Sequence, residues 1–279
     1  MNIHAFIERL GKDRNNGELV KDIADSFKVL KEKRNNNLIL EIPAKQGDGN
    51  ESEAKFIHGN IFEEYVLQAA VEDQRMKFNV IGENEASVNS KIQSREKMFN
   101  GIYGIMQDKY KGTMINSGSD AWGILSKIFA HQSAYKDTEK PKPKLEFEKT
   151  IPNTRTTLLT KRLRADLVAK IGSKVFIVDF KYSSSDDRKE YETKWLVNGF
   201  IQVLIYGILI GEKPCNLSLW LLVYYAQKGQ IVLYSTYRKR NKRFVRMLKK
   251  IAKIPDEHDD EDGEDDEDDI LQSIRILYL

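Results

Sequence analysis

The chain has 279 residues, 41% of them hydrophobic and 31% charged, the composition of a soluble globular protein with room for a sizeable core. A single cysteine, Cys215, excludes a disulfide framework and any four-cysteine zinc or iron–sulfur site; the four histidines show no zinc spacing, and no apolar run reaches membrane-span length. The formal net charge is +3, yet residues 256–269 hold twelve acidic side chains, so the remainder carries +15, a balance that suits a polyanionic partner.

The start of the chain lacks the order of a signal peptide, and an intracellular, cytoplasmic protein with no membrane association is expected. Residues 1–34 show two helical patterns, Ile3, Phe6, Ile7 and Leu10, then Leu19, Ile23, Phe27 and Leu30, split at Asn15-Asn16-Gly17. They predict a helical pair within a helical N-terminal part, residues 1–50. Residues 46–53 form a polar, glycine-containing loop. In the helix that follows, Ile57, Ile61, Phe62, Tyr65, Val66, Ala69 and Ala70 keep the 3.6 period. Glu63, with Val66, Leu67 and Ala70 as helical neighbours, lies at the edge of the buried face. Glu64, between Asn60 and Gln68, reads as a surface charge pointing to solvent.

Residues 80–136 lack strong strand character and carry helical patterns near 92–110 and 122–129. A connector with Pro141 and Pro143 leads to a strand at 145–151, whose Glu146 and Glu148 read as solvated charges on one face. Residues 162–182 read as a hairpin. Leu163, Ala165, Leu167, Ala169 and Ile171 alternate with Arg162, Arg164, Asp166 and Lys170, the period of a strand with one buried face. Gly172-Ser173 supplies the turn. The returning strand is apolar on both faces from Val175 to Val178, as in the middle of a sheet, and then ends in Asp179 and Lys181 on one shared face.

Beyond the hairpin, the polar loop 183–194 offers Arg188, Lys189 and Lys194, open to phosphate contact or to plain solvation. The apolar stretch 195–210 reads as a helix with Gln202 and Tyr206 one turn apart. Strands at 216–226 and 230–237 complete a mixed sheet and a core spanning 55–237. Residues 238–253 hold nine basic residues around the stripe Phe244, Met247, Leu248 and Ile251. A helix docked on the core would present Arg240, Arg243, Lys250 and Lys253 outward, with nucleic acid the favoured target. One domain, residues 1–254, thus carries a tail, 255–279. Its acidic part is expected to be disordered, either plainly solvated or competing in cis with weakly bound nucleic acid. Its apolar end, 270–279, either pins the tail to the body or docks on a protein partner.

A charge at the end of an otherwise buried strand costs free energy unless it is compensated. A divalent cation would compensate it: Asp166 and Asp179, on adjacent antiparallel strands, would converge on one Mg²⁺, a hard ion that takes carboxylates and keeps several waters. Lys181 would sit beside it, to orient or deprotonate a bound water and balance phosphate charge. Taken alone, Asp-x-Lys after an apolar strand reads more simply as a strand-end ion pair, with Asp166 merely exposed.

In chain order, Gly59-x3-Glu63, Asp166, Asp179-x-Lys181 and Gln202-x3-Tyr206 resemble the motifs of the PD-(D/E)XK nuclease superfamily, and more narrowly its RecB-like exonuclease branch without an iron–sulfur cluster. The resemblance covers about residues 55–206. It implies an α/β, restriction-endonuclease-like fold, a mixed central sheet flanked by helices with a helical insertion at about 80–136 between the first helix and the sheet, and Mg²⁺- or Mn²⁺-dependent hydrolysis of DNA phosphodiesters at ends or on single strands, with RNA an open alternative. It implies Asp166, Asp179 and Glu63 as metal ligands, the Phe180 carbonyl as a further ligand, Lys181 as the catalytic lysine, and Gln202 and Tyr206 as substrate-contacting or site-supporting residues. Arg164 joins the basic groups expected to touch nucleic acid. Many members carry a histidine where this register gives Glu63. His58 is a secondary metal candidate, although five residues is about 140° around a helix. The superfamily's proline is replaced by Ala165. Two alternatives stand: a structure- or sequence-selective endonuclease of the same fold, and a non-cleaving nucleic-acid-binding assembly protein, which retention of all four charged residues disfavours.

Overall fold

The computed structural model describes residues 3–12, 17–46, 51–73, 78–134, 143–153, 159, 162–185, 187–210, 217–236, 244, 246, 248 and 249. Seven strands form one mixed sheet: β1 (Phe27–Arg34), β2 (Asn79–Val80), β3 (Lys144–Pro152), β4 (Arg162–Ile171), β5 (Lys174–Ser183), β6 (Leu217–Tyr225) and β7 (Gln230–Thr236). Their spatial order is β1-β7-β6-β5-β4-β3-β2. Pairing is antiparallel except for β5–β6 and β2–β3. A parallel neighbour requires a crossover, and helix α7 (Val197–Ile210), entered through the short helix α6 (Arg188–Tyr191) and a π-helical turn at Glu192–Leu196, connects β5 to β6.

The two faces of the sheet have separate cores. Helices α1 (Ile3–Lys12), α2 (Gly17–Ala24) and α7 bury Phe6, Leu10, Leu19, Ile23, Phe200 and Leu204 on one face. Helices α3 (Glu51–Glu72), α4 (Glu85–Tyr103) and α5 (Asp108–Ala134) bury Ile57, Phe62, Phe99 and Phe129 on the other. Close approach of α3 and α5 depends on Gly118, where a Cβ would stand 2.5 Å from the Tyr65 carbonyl carbon. The two-residue turn between β4 and β5 is as expected, with Gly172 at φ 60°, a conformation glycine tolerates without strain.

Several expectations need correction. Phe27 and Leu30 belong to a strand, not to the second helix of a pair: β1 pairs along β7, with an irregularity between Val29 and Lys31 that turns Leu30 into the core. Helix α2 is closed at Ser26, whose hydroxyl donates to the Ile23 carbonyl at 2.7 Å. The pattern near 92–110 is two helices, because α4 stops at Gly104 (φ 77°) and α5 begins at Asp108. The apolar stripe of β4 does not keep one face. Leu163 and Ala165 pack with the α7 side, whereas Leu167, Ala169 and Ile171 pack with the α3 side. β3 switches likewise between Phe147 and Ile151. Both switches occur where the β3–β4 ladder skips the pair Glu148 and Asp166, with Glu148 at φ 47°.

Of the expected basic helix at 238–253, Phe244 and Leu248 are described and buried in the α7-side core. Arg240, Arg243, Lys250 and Lys253, and the tail, lie outside the described residues. No described helix is long and apolar enough to cross a membrane.

Candidate active site at the fork of two central strands

β5 is paired with β6 from Val175 to Ser183, but its ladder with β4 ends at Leu167–Val178. The two strands fork one residue before Asp166 and Asp179. In place of the next ladder bond, Asp166 Oδ2 accepts the Phe180 N–H at 2.8 Å. The Phe180 carbonyl leaves its strand on the same side as that N–H and is thus directed into the fork.

Asp179 is 1% exposed. It forms an ion pair with Lys181 through Oδ2, and its Oδ1 has no hydrogen-bond partner among the described residues. The shared face of Asp179 and Lys181 is the α7 side. There Gly199 allows the lysine stem to pass: a Cβ on it would stand 3.4 Å from Lys181 Cε and 3.0 Å from Leu221 Cδ1. Gln202 sits one turn further along α7, with Oε1 3.5 Å from Lys181 Nζ and Nε2 donating to the Tyr206 hydroxyl at 2.7 Å. Both are buried. Gln202 and Tyr206 therefore support the lysine from inside the core.

Glu63 reaches the fork from α3 on the opposite face. Burial, with Asp179 adding to it against Lys181, pushes its carboxyl up to about 8. Burial also holds Asp166 well above the usual carboxylate range, reinforced by Glu63 and Asp179 and only partly relieved by Lys181. For Lys181, burial works against the charge, but Asp179 and Asp166 outweigh it and hold the ammonium protonated. The electrostatic coupling of Glu63, Asp166, Asp179 and Lys181 puts all four predicted residues in one neighbourhood.

The donor chemistry fits a hard divalent cation. Three carboxylates against one close lysine leave an excess of two negative charges when all are ionised, one buried carboxylate oxygen is unpartnered, and a backbone carbonyl opens onto the same gap. Among the described residues no three His, Cys, Asp or Glu side chains form a group that could hold a metal ion, so Glu63, Asp166 and Asp179 are not a ready-made cage. Mg²⁺ binds through one or two carboxylates plus waters and needs no such cage.

Other expected site residues lie elsewhere. His58 is not a ligand in this arrangement: its Nδ1 and Nε2 are engaged by the hydroxyls of Tyr110 (2.5 Å) and Tyr103 (2.9 Å), and its ring stacks on Tyr182. Burial pushes it down to about 4, so it is a neutral core histidine that fixes α3 against β5. Glu64 is not a solvated surface charge; it is buried beneath α4, with Arg95 Nε 3.3 Å away. Glu148 is not solvated either. It accepts from Lys91 and from Arg164, each at 2.6 Å, and Lys91 also bonds Glu83 at 2.6 Å. Arg164 is thus an exposed residue tied to Glu148. Glu146 bonds Lys149 at 2.7 Å. Arg188, a phosphate candidate, instead bonds Glu192 at 2.7 Å and Glu32 at 3.0 Å beside the rings of Tyr225 and Tyr234. The side chains of Lys189 and Lys194 lie outside the described residues. Gly199 was not singled out from the sequence, although a glycine inside an apolar helix, three residues before Gln202, is a signal of close approach.

No family model matches the chain, and no curated protein matches its sequence. Among solved structures, one described as "Crystal structure of SSO0001" aligns with 72% of this chain and 87% of its own, at 13% identity and a TM-score of 0.27, a likeness too low to assign a fold.

Proposed function

We propose that this chain is a divalent-metal-dependent nuclease of the restriction-endonuclease-like, PD-(D/E)XK type, hydrolysing DNA phosphodiester bonds, and that it acts as a RecB-like exonuclease on ends or single strands. The observation that carries the reading is the fork itself: where β4 and β5 separate, Asp166 accepts the Phe180 N–H, Asp179 pairs with Lys181 and keeps a buried oxygen unpartnered among the described residues, and Glu63 faces them from α3. A folded chain gains nothing from burying uncompensated like charges, and such sites are where perturbed carboxylates concentrate at functional centres.

Asp166, Asp179, Glu63 and the Phe180 carbonyl would hold Mg²⁺ or Mn²⁺. When bound, the ion polarises the phosphoryl group and lowers the pKa of its water. The chain's own contribution is positional and electrostatic. Lys181, steadied by Asp179 and Gln202, offers an ammonium to the charge that develops on the phosphoryl oxygens. Asp166, fixed through one oxygen by the Phe180 N–H, would offer its second oxygen to the ion.

End-labelled linear and covalently closed circular DNA, incubated with Mg²⁺ or Mn²⁺, test the reading. Shortening of linear strands with circles spared is the expected result, and nicked circles would reassign the enzyme as an endonuclease. No cleavage of DNA or RNA with either metal, by protein shown to be folded, would overturn the nuclease reading and favour a binding protein.

A further inference from the structure

Lys181 has few fixed partners for a residue on whose aim the site depends. An ammonium has three N–H donors. Asp179 takes one as an ion pair, and Gln202 Oε1 stands 3.5 Å away, at the outer limit of a hydrogen bond. The carboxylate that pairs with the lysine is also one of those proposed to hold the ion. A further acceptor is needed to keep the ammonium aimed when Asp179 is drawn to a cation.

Tyr191 is placed to supply it. It closes α6, which begins soon after β5 ends at Ser183. Its ring meets the Tyr225 ring edge-on, with centroids 5.4 Å apart. Tyr225 pairs with Ser183 in the β5–β6 ladder, and Ser183 lies two residues beyond Lys181 on the same face of β5. Tyr191 thus belongs to the α7-side core at the end of β5 where the lysine stands, and is 9% exposed. The electrostatics agree. Burial pushes the Tyr191 phenol up, Lys181 is the strongest influence against it, and Tyr225 and Asp179 add to burial. Burial in turn works against the charge on Lys181, and Tyr191 joins Asp179 and Asp166 in outweighing it. Among the described residues the Tyr191 hydroxyl has no hydrogen-bond partner. The residues around it are fixed. Arg188 bonds Glu192 at 2.7 Å and Glu32 of β1 at 3.0 Å, and Glu192 accepts from the Tyr234 hydroxyl of β7 at 2.6 Å, so the chain on both sides of Tyr191 is tied to the sheet.

We propose that Tyr191 is a positioning residue for Lys181: its hydroxyl, held at the end of β5 by the clamp of Arg188 and Glu192, accepts from the ammonium during the reaction and keeps it aimed at the phosphoryl group. This rests on the nuclease reading and adds a residue to its site. Catalytic hydrogen bonds are often long without substrate and tighten only in the reacting complex, so a nearly buried hydroxyl without a partner in the resting fold is the form such a group takes. It contributes nothing to the stability of that fold. The clamp sets its position beforehand, so that little reorganisation is left for the moment of reaction. Arg188 then serves the site by holding Tyr191 and not by touching phosphate.

The test uses the full chain, with kcat and KM measured on end-labelled linear DNA in Mg²⁺ and the melting temperature measured without metal. Tyr191→Phe keeps the ring against Tyr225 and removes only the hydroxyl. It should lower kcat about 3- to 10-fold, the worth of one hydrogen bond, with KM within about twofold of the parent. Its melting temperature should stay within about 1 °C of the parent, because the hydroxyl bonds nothing in the resting fold. In Lys181→Ala, or in Lys181→Met should the alanine variant not fold, the same substitution should change the residual rate less than about twofold, since the hydroxyl then has nothing to hold. Four results would refute the positioning role and leave the nuclease reading standing: Tyr191→Phe keeps the parent's kcat, loses kcat and melting temperature together, raises KM alone, or costs as much rate with Lys181 absent as with it present. If the parent cuts nothing, both fall.

Discussion

Two charged clusters border each other where β3 and β4 lose a rung of their ladder, and they are built on opposite terms. In one, Glu64, Glu83 and Glu148 meet Lys91, Arg95 and Arg164, acid for base, each acid in direct contact with a cation. Its positions follow from local sequence. Asn84 and Ser87 cap α4 reciprocally, at 2.9 Å in each direction, and so place Lys91 and Arg95 one turn apart on the face toward β3. In the other, at the fork, three carboxylates share one close lysine. Burial works to raise Glu148, yet the Lys91 bond and the Arg164 charge overcome it and hold its carboxyl below the usual range. For Glu63 burial prevails. Glu64 is raised as well, burial prevailing over Arg95, so the direction of a shift does not by itself separate the clusters; the difference is that each acid of the first touches a cation, whereas three carboxylates at the fork share one close lysine.

The largest expected effects lie at the unsatisfied cluster. Asp166→Ala and Asp179→Ala should each cut hydrolysis by at least about a thousandfold, since the ion they would hold is worth several kcal/mol of transition-state charge. DNA binding should change little, and full activity in either variant would remove the assignment. Lys181→Ala should cost on the order of a hundredfold, comparable to losing one preorganised donor, with Mn²⁺ affinity by calorimetry nearly kept. Equal losses of Mn²⁺ binding in Lys181→Ala and Asp179→Ala would contradict that division of labour. In the satisfied cluster, Glu148→Gln should leave hydrolysis within a few-fold of the parent.

The pH dependence of stability sharpens the same contrast. A carboxyl raised from 4.5 to about 8 keeps its proton in the folded state while the unfolded chain has released it. Over that window the folded state binds more protons, so stability falls as pH rises from about 4.5 to about 8 and is then level. Glu63→Gln should flatten this slope and raise the melting temperature at pH 8.5 by about 2–4 °C, the shift expected for roughly 1 kcal/mol in a chain of this size. Glu148, held low, stabilises the fold above the unfolded carboxylate pKa and loses that stabilisation as pH falls through its lower folded value. Glu148→Gln should accordingly lower the melting temperature at pH 8.5 and matter progressively less in acid. Thermal melts of both variants across pH 4–9 decide this, and parallel curves would show that the clusters do not differ.

Divalent ions extend the comparison. Ligands must be deprotonated to bind a cation, so the rise in melting temperature on adding Mn²⁺ should grow between pH 6 and pH 8 in the parent and grow less in Glu63→Gln. An ion-induced rise independent of pH would separate Glu63 from the metal.

Legibility in the sequence followed the range of the interactions. The β4–β5 hairpin and the shared face of Asp179 and Lys181 were readable because a two-residue period and a two-residue turn are local. β1 was not. Its Phe27 and Leu30 continue a helical spacing, and their strand partner β7 lies some two hundred residues on, a pairing no local pattern announces. Glu64 misled because helical neighbours indicate one buried face, whereas α3 is covered by α4, α5 and β5 together. His58 could be placed near the site but not excluded from it, since Tyr103 and Tyr110, which occupy its ring nitrogens, sit on the turns of two other helices. The fork was likewise invisible: the skipped pair of Glu148 and Asp166 depends on where the ladder ends, not on residue types along either strand.

The smallest expected effect decides what the Gln202–Tyr206 pair does. Tyr206 is 2% and Gln202 8% exposed, so a substrate has little access to either, while the Tyr206 hydroxyl accepts from Gln202 Nε2 and Gln202 Oε1 faces the Lys181 ammonium. Tyr206→Phe removes only that acceptor. The amide then keeps a buried donor without its partner, a cost of about 1–3 kcal/mol, and gains freedom to turn its oxygen away from Lys181. A support role predicts a kcat lowered about three- to tenfold with KM unchanged, because the ammonium is held less well during the reaction but the strand is bound as before. Gln202→Leu should produce the same fall, and the double variant no more than either alone, as members of one chain of contacts do. A KM raised tenfold at constant kcat would instead mean that the pair touches the substrate directly, through a rearrangement that opens the α7 side of the fork.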